Sequence, residues 1–374
     1  MFDRMFRGLN FGTTAAPLIV GQNITGSEAL RRNATFRTNL ANGDFRAVAN
    51  SLNTTNIGVT IPTGQTIAGA TLRSSGLFPE NFITANPQFA AMEMRNNSDS
   101  SIYHSMETQL TMRPSRGFTY QATWTWSRST GVAAPAAGGV TAAYRDFLNR
   151  HADYTVTNFH RTHNLRGYGT FELPFGPGKL LGGNSSGIVK HVIEGWQFGT
   201  IFNVSTGAPL NVSARNTINR TGTPDIIGDF PRDGAVAWGN VFGNYFSQQY
   251  QRIADPACAK VAAAAPANLN TFCTNSAIAD SSGKIILQNA APGQLGTLGL
   301  NPIYGPGSWS LDANLQKRIR FAEARSVTIR IDASNIFNHP TPGNPNLDIN
   351  SGTFGEISTK TGSRALAAQL RLEF

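Results

Sequence analysis

Apolar and polar residues alternate one by one along seven stretches of the chain. Because successive side chains of a β-strand point to opposite faces, this period of two predicts strands with one apolar and one polar face. The stretches exceed the ~5–6 residues of a common globular strand and match the ~9–11 residues with which a tilted strand crosses a bilayer. The seven predicted strands cover residues 102–113, 118–127, 164–173, 196–205, 309–320, 327–337 and 366–374.

Short and long connections alternate between these strands. Short turns follow Arg113 and Arg320, and a medium turn runs from Pro174 to about Val192. The long polar connections are residues 130–157, 207–307 and 339–362. Outer-membrane barrels combine short periplasmic turns with long outer loops. The sequence therefore predicts an all-β fold, an antiparallel meander of about seven long strands that forms part of a transmembrane outer-membrane β-barrel, open and incomplete, with long extracellular loops.

Residues 1–100 show no comparable alternation. We expect them to form the tail of one strand followed by a mainly extracellular loop, and residues 101–374 to form a single partial barrel domain. No segment approaches the ~18–20 apolar residues of a spanning helix, and the start of the chain lacks the apolar core of a signal peptide. The chain either stays in the cytoplasm or has lost its beginning, and the strand pattern favours loss.

Aromatic residues mark both ends of the predicted strands. Amphipathic rings prefer the headgroup level of a membrane, so we expect two girdles; the alternative is the aromatic core of a soluble sandwich. The outer girdle would contain Trp124, Trp126, Trp309 and Phe337, and the inner girdle Phe171, Trp196, Phe321 and Phe374. Lys317 lies on an apolar face near the inner end, where we expect its ammonium group to snorkel to the headgroups.

Charged residues are scarce, at 14% against the ~25% of soluble domains. Ser, Thr, Asn, Gln and 38 glycines take their place, which suits an aqueous barrel lumen with outer loops, or a secreted β-solenoid or sandwich. The 31 Lys and Arg against 22 Asp and Glu give a net charge of +9. Because the basic residues are scattered, the sequence argues against nucleic acid and favours outer-membrane lipid and lipopolysaccharide as partners.

The two cysteines, Cys258 and Cys273, lie in one polar loop without a CxxC motif or a neighbouring histidine. This arrangement is typical of a single loop disulfide made in an oxidising compartment. Two unrelated free thiols are the alternative. A disulfide would close a loop of ~15 residues, for which the chain-entropy model gives about 3 kcal/mol.

Two motifs with chemical associations are weak. His160-x-x-His163 has the residue types of a metal pair, but residues three apart on a strand point to opposite faces. Gly176-Pro177-Gly178-Lys179 lacks the remainder of a phosphate loop and the helix after it, so a turn is expected. The sequence assigns no metal-binding and no cofactor-binding residue.

Carboxylates on neighbouring predicted strands are the remaining catalytic candidates. Asp312 and Asp332 share the polar face, and a carboxylate pair could serve glycoside hydrolysis. Arg318 and Arg330 on the same face favour a ladder of charges instead. We therefore expect no catalytic residue and no enzyme activity.

Several short motifs stand in a specific order between residues 86 and 374. They are Phe159-His160-Arg161-Thr162-His163, Phe171-Glu172-Leu173-Pro174-Phe175-Gly176, Gly195-Trp196-Gln197, Ser205-Thr206-Gly207-Ala208-Pro209, Tyr304-Gly305-Pro306-Gly307, Asp332-Ala333-Ser334-Asn335-Ile336-Phe337-Asn338-His339-Pro340 and the run from Arg364 to Phe374. Together they resemble the Oar-like β-barrel family of TonB-dependent receptors. The order and spacing of the motifs are highly specific.

The resemblance implies an outer-membrane barrel with energy-coupled uptake of a bulky ligand. The family's periplasmic carboxypeptidase-like domain, plug and energy-coupling box have no counterpart here. We therefore expect contact with TonB only through a missing N-terminal plug, and no transport by this chain alone. In the family, a C-terminal end such as Leu370, Leu372 and Phe374 is read by the barrel-assembly machinery, and we expect the same here.

Two other functions stay open. One is a structural or adhesive outer-membrane protein, and the other is a secreted β-rich binding module. An upstream reading frame that encodes a plug and a signal peptide would separate the receptor from the first alternative. Solubility that depends on detergent would separate both membrane proteins from the second.

Overall fold

A computed structural model describes residues 31, 34–54, 59–60, 66–67, 99–115, 117–132, 144–146, 148–215, 222–247, 249–261, 268–322 and 325–374. Its largest element is an antiparallel sheet of seven long strands, here called the wall. The wall strands are β1 (Ser101–Ser115), β2 (Phe118–Val132), β3 (His163–Glu172), β4 (Trp196–Ser205), β5 (Ser308–Ala322), β6 (Arg325–Ser334) and β7 (Ala365–Glu373). The predicted antiparallel meander of seven strands is confirmed.

Each wall strand pairs with its neighbour in the sequence, in the order β7-β6-β5-β4-β3-β2-β1. A short strand, Tyr154–Val156, pairs with the outer end of β2. The short turns and the β3–β4 connection lie at one edge of the wall together with Glu373, and the long connections lie at the other. Among the described residues β1 and β7 pair on one side each, so the wall is an open sheet.

The strand register preserves the two faces across the whole wall. One row of the apolar face joins Trp124, Leu165, Val204 and Trp309 through successive partners. A row of the polar face likewise joins Glu107, Thr125, Asn164, Ser205 and Ser308. Because the side-chain period is two, a slip of one residue would exchange the faces of a strand. The alternation along each strand therefore specifies its pairing.

Two glycines on the apolar face of β3 allow neighbouring rings to lie against the sheet. A Cβ at Gly167 would stand 2.3 Å from the Phe202 ring, and one at Gly169 would stand 2.5 Å from the Tyr120 ring. The two rings lie parallel, with centroids 6.3 Å apart. Aromatic cover of strand glycines is a known way to stabilise a sheet.

The connections β4–β5 and β6–β7 fold together into a compact unit, here called the outer domain. Its short strands are Pro209–Leu210, Asp225–Ile226, Ala237–Trp238, Gly243–Asn244, Tyr250–Ala254, Ser276–Asp280, Ile285–Gln288, Ile303–Tyr304, Thr341–Pro342, Glu356–Ile357 and Lys360–Thr361. Its core contains Val212, Tyr245, Phe246, Ile278, Ile286, Leu287, Leu298, Ile303, Leu347, Ile349 and Ile357. Residues predicted only as long polar connections thus form a packed unit.

Helices and one further strand pair occur in residues 1–100. Helices α1 (Ala34–Ala41) and α2 (Phe45–Thr54) follow each other, and strands Val59–Thr60 and Thr66–Ile67 pair. The Arg37 guanidinium lies 4.1 Å from the centroid of the Phe272 ring in the outer domain. No helix was expected here, and the assignment of residues 1–100 to an extracellular loop stays a prediction.

Other helices are short. In the described residues, three of them are 3-10 helices, Arg150–Asp153, Pro256–Lys260 and Leu269–Phe272. None of the helices in the described part of the chain is long and apolar enough to cross a membrane.

The β3–β4 connection contains helix α3 (Gly187–Ile193), and it changes the interpretation of Lys317. Lys317 lies on the apolar face but is only 6% exposed. Its Nζ donates to the carbonyl oxygens of Val192, at 2.7 Å, and Glu194, at 2.8 Å. The prediction that Lys317 snorkels to lipid headgroups is therefore wrong, because the backbone at the end of α3 takes up its ammonium group.

Candidate functional site

A cleft of about 680 Å³ lies on the polar face of the wall, near its outer edge. Strands β1 to β4 and the connection before β3 supply its lining. The residues that give the cleft its character are Tyr103, Glu107, Gln121, Phe159, Arg161, Asn164, Arg166, Tyr168 and Asn203. A second cleft of about 430 Å³ shares part of this lining and continues to Ser308 and Thr341.

The cleft combines exposed rings with groups that form hydrogen bonds. Tyr103, Phe159 and Tyr168 are exposed, and the Tyr168 hydroxyl donates to Gln121 Oε1 at 3.0 Å. Among the described lining residues, Arg161 and Arg166 are cations and Glu107 is an acid. Rings stack on flat polar ligands, and guanidinium groups donate to oxygen acceptors in a fixed geometry. The arrangement suits binding of a polar ligand of considerable size.

His160 fastens the connection before β3 to the outer end of β2. It is buried, and its Nδ1 accepts a hydrogen bond from the Ser129 backbone at 3.2 Å. Burial, and then the charges of Arg128 and Arg161, lower the pKa of His160 below its ordinary value of 6.5. The neutral ring is thus favoured, as the accepting role of Nδ1 requires. His160 therefore holds in place the part of the β2–β3 connection that lines the cleft.

His163 lies apart from His160. Its ring stacks on Trp124 of the apolar face, with centroids 5.8 Å apart. In the part of the chain that the structure describes, no three His, Cys, Asp or Glu side chains are grouped in a way that could hold a metal ion.

The acids of the polar face near β5 to β7 are engaged in pairs. Arg318 contacts Glu373 at 2.6 Å, and Arg330 contacts Asp332 at 2.6 Å. Asp312 accepts from the Asn335 backbone at 2.8 Å. This is the ladder of charges that the sequence favours over a carboxylate pair. It stabilises the polar face.

A buried ion pair joins the β2–β3 connection to the outer domain. Arg145 Nε lies 2.7 Å from Asp153 Oδ1, with side-chain exposures of 9% and 0%. Arg145 Nη1 also donates to the carbonyl oxygens of Gly296, at 3.1 Å, and Leu298, at 2.9 Å. The pair therefore holds the connection next to the cleft in a fixed position. Sequence reasoning missed it, because the Gly296 and Leu298 carbonyls that Arg145 contacts lie 151 and 153 residues away in the chain.

The predicted girdle residues lie near the two edges of the wall. Trp124 and Trp309 share one row at the outer edge, where Trp309 stacks on His339 at 4.2 Å and packs against Phe337 at 6.0 Å. Trp126 lies two residues further out. At the inner edge Trp196 is the register partner of Lys317. The girdles as a membrane feature stay a prediction.

The other predicted site residues are also placed. Cys258 and Cys273 are joined by a disulfide, with Cα atoms 5.6 Å apart. Leu370, Leu372 and Phe374 lie at the end of β7, and Phe374 is 90% exposed. Their role as an insertion signal stays a prediction.

A sheet with one continuous apolar face, one polar face and loops at one edge has the architecture of a membrane barrel wall. A family model described as an outer membrane beta barrel domain matches residues 25–369. The chain belongs to this family, and its location is the bacterial outer membrane. No curated protein matches it. The apolar face is thus the lipid side, and the secreted alternative is excluded.

Proposed function

We propose that the chain supplies the C-terminal wall and the outer domain of an Oar-like, TonB-dependent receptor that takes up a bulky ligand. The observation that carries the proposal is the cleft on the polar face, between the wall and the connections above it. Its rings, amides and arginines are suited to binding and not to catalysis. The motif order from Phe159 to Phe374 supports the specific family.

In this proposal the ligand first contacts the outer domain and then the cleft. Tyr103, Phe159 and Tyr168 stack on it, while Arg161 and Arg166 donate hydrogen bonds. TonB acts through a plug inside the closed barrel, for which the wall provides the surrounding surface. Lipid and lipopolysaccharide cover the apolar face, and the barrel-assembly machinery inserts the protein.

The wall strands alone are not expected to transport. Unpaired backbone groups cost several kcal/mol each in hydrocarbon, so only a closed sheet spans a membrane. Strands β1 and β7 therefore need further strands beside them. Long unpaired edges also promote aggregation.

A structural or adhesive outer-membrane protein is the second candidate. An exposed apolar patch on the outer domain, formed by Trp238, Val241 and Phe242, favours it. Exposed patches of this kind are typical of surfaces that contact other macromolecules.

Two experiments separate the candidates. The DNA upstream of the Met1 codon should encode an in-frame plug and signal peptide for a receptor. Cells that produce this chain together with a plug and the strands that close the barrel should also accumulate labelled oligosaccharides, oligopeptides or ferric siderophores only when TonB is functional. Replacing Arg166 and Tyr168 by Ala should weaken ligand binding about ten- to a hundredfold, because hydrogen bonds to charged groups contribute about 1.5–3 kcal/mol, and each 1.4 kcal/mol is tenfold.

Thr328→Ala is the matched control, since Thr328 lies on the same polar face away from the cleft. It should leave uptake unchanged. Adhesion of cells without any TonB-dependent accumulation would favour the structural or adhesive protein.

A further inference from the structure

The β3–β4 connection bends towards the lipid side of the wall. It is attached there by Trp196 and Lys317, which are register partners on the apolar face. The Trp196 indole donates to the Val192 carbonyl at 3.0 Å, and Lys317 Nζ lies 4.8 Å from the centroid of the same indole. With the two hydrogen bonds from Lys317 to Val192 and Glu194, the end of α3 is fixed at the inner edge of the apolar face.

Large aliphatic side chains of this connection are exposed. Leu180 is 85% exposed and Ile188 83%, and Leu181, Val189 and Val192 are all more than half exposed. Water exposure of contiguous apolar surface is unfavourable, and such patches mark contact sites. The five side chains therefore indicate a covering partner.

Helix α3 separates these residues from its polar ones. Ile188, Val189 and Val192 are spaced at i, i+1 and i+4, which places them on one side of a helix. Lys190 and His191 follow Val189 in the sequence and lie on the opposite, polar side of the helix. There His191 lies 3.4 Å from Glu194. Lys179 adds a further cation in the preceding turn, where its Nζ lies 3.4 Å from Glu172 in an exposed ion pair. Apolar and basic faces side by side are typical of helices that lie in a membrane interface.

The position of the connection identifies the partner. The end of α3 is bonded to Trp196 and Lys317 on the apolar face of the wall, at the edge opposite the outer domain. Phospholipid of the inner leaflet therefore meets it, with acyl chains beside the aliphatic residues and phosphates beside Lys179 and Lys190.

We propose that residues 174–194 form a membrane-interface anchor, which inserts Leu180, Leu181, Ile188, Val189 and Val192 into the inner leaflet while Lys317 clamps the end of α3 to the wall. The anchor rests on the membership in the barrel family and not on transport. It would fix the depth of the wall in the membrane on this side.

A fluorescent label on Val189→Cys tests the contact with lipid. The protein is reconstituted in vesicles of phosphatidylethanolamine and phosphatidylglycerol, with or without brominated acyl chains. We expect a blue shift of the emission, strong quenching by bromine and loss of quenching by aqueous iodide. Val241→Cys is the matched control, because Val241 is a valine that is 75% exposed in the outer domain. Its label should respond to iodide and not to bromine.

A label at position 189 that iodide quenches as strongly as the label at position 241 would overturn the proposal. Lys317→Met in the Val189→Cys background tests the clamp separately. It keeps a long apolar stem but removes the ammonium donor, so bromine quenching should fall as the helix loses its fixed depth. Unchanged quenching would show that the clamp is wrong while the lipid contact holds.

Discussion

The wall keeps large apolar side chains on its surface, whereas the outer domain buries them. Leu110, Ile331 and Leu370 of the wall are about half exposed or more, and Tyr245, Leu287 and Ile349 of the outer domain are fully buried. In the wall, lipid takes the place of a core, and the backbone ladder supplies the regular contacts. In the outer domain, the hydrophobic effect in water acts as it does in a soluble protein.

Two regions of one chain are therefore stabilised in different ways. A charge is costly on one face of the wall and tolerated on the other, so the position of a residue along the strand decides its effect. In the outer domain, the burial of a residue decides the effect of a charge, whatever its position in the sequence.

The largest effect is expected from the buried Arg145–Asp153 ion pair, which holds the β2–β3 connection to the outer domain. Asp153→Ala leaves Arg145 buried without its carboxylate, which costs about 3–5 kcal/mol. Asp332→Ala is the control, because the Arg330–Asp332 pair is 40% exposed on both sides and should lose about 1 kcal/mol or less. Denaturant unfolding followed by tryptophan fluorescence measures both. Equal losses would remove the distinction between the regions.

A charge on the lipid side of the wall should have the next largest effect. Leu311→Arg places a guanidinium on the apolar face, at a cost of up to about 2–4 kcal/mol, the value at the bilayer midplane. Ser310→Arg places the same group on the polar face and should be nearly neutral. Unfolding of the protein in lipid vesicles compares them. Similar costs at both positions would contradict the assignment of the faces.

The disulfide should matter for the outer domain alone. Replacing Cys258 and Cys273 by Ser removes the closure of a loop with a sequence separation of 15 residues, worth about 3 kcal/mol in the chain-entropy model. We expect faster proteolysis of the outer domain on intact cells and unchanged heat-modifiable migration of the barrel. A loss of migration would mean that the wall depends on the disulfide.

The smallest effect is expected in the pH dependence of stability that His160 causes. Because its folded pKa lies below 6.5, the unfolded chain binds the proton more readily. Stability is complete above pH 6.5 and falls as the pH drops from there towards the folded pKa. His160→Asn keeps an acceptor near the Nδ1 position and should flatten this part of the curve of unfolding midpoint against pH. An unchanged curve would exclude His160 as its source.

The sequence predicts the wall well because the evidence for each strand is local. In β2 and β6, the residues two positions away show which face of the strand a residue lies on. The alternation of faces then specifies the register of each strand pair. The outer domain could not be predicted in this way. Val212, Ile278 and Leu347 meet in its core although they are far apart in the chain. Of the three, only Ile278 lies in a strand, and that strand is too brief for a periodic pattern.

The cleft was only partly predictable. Arg166 and Tyr168 are recognisable as polar-face residues of β3, but their proximity to Phe159 depends on a connection that His160 and Arg145 hold in place. Lys317 shows the same limit of local patterns. The alternation places it correctly on the apolar face, but from this it also predicts a contact with lipid headgroups that the structure does not have. The β3–β4 connection folds back over it, and no local pattern shows this.

The most direct test of the account is the accessibility of alternate residues along β6 in outer membranes. Single cysteines replace Thr328, Ile329, Arg330 and Ile331. A charged, membrane-impermeant thiol reagent is then added to outer-membrane fragments, in which both membrane surfaces are accessible. The account predicts labelling at positions 328 and 330, which face the aqueous lumen, and protection at positions 329 and 331, which face lipid. Labelling of all four positions alike would contradict the conclusion that this sheet is the wall of a membrane barrel.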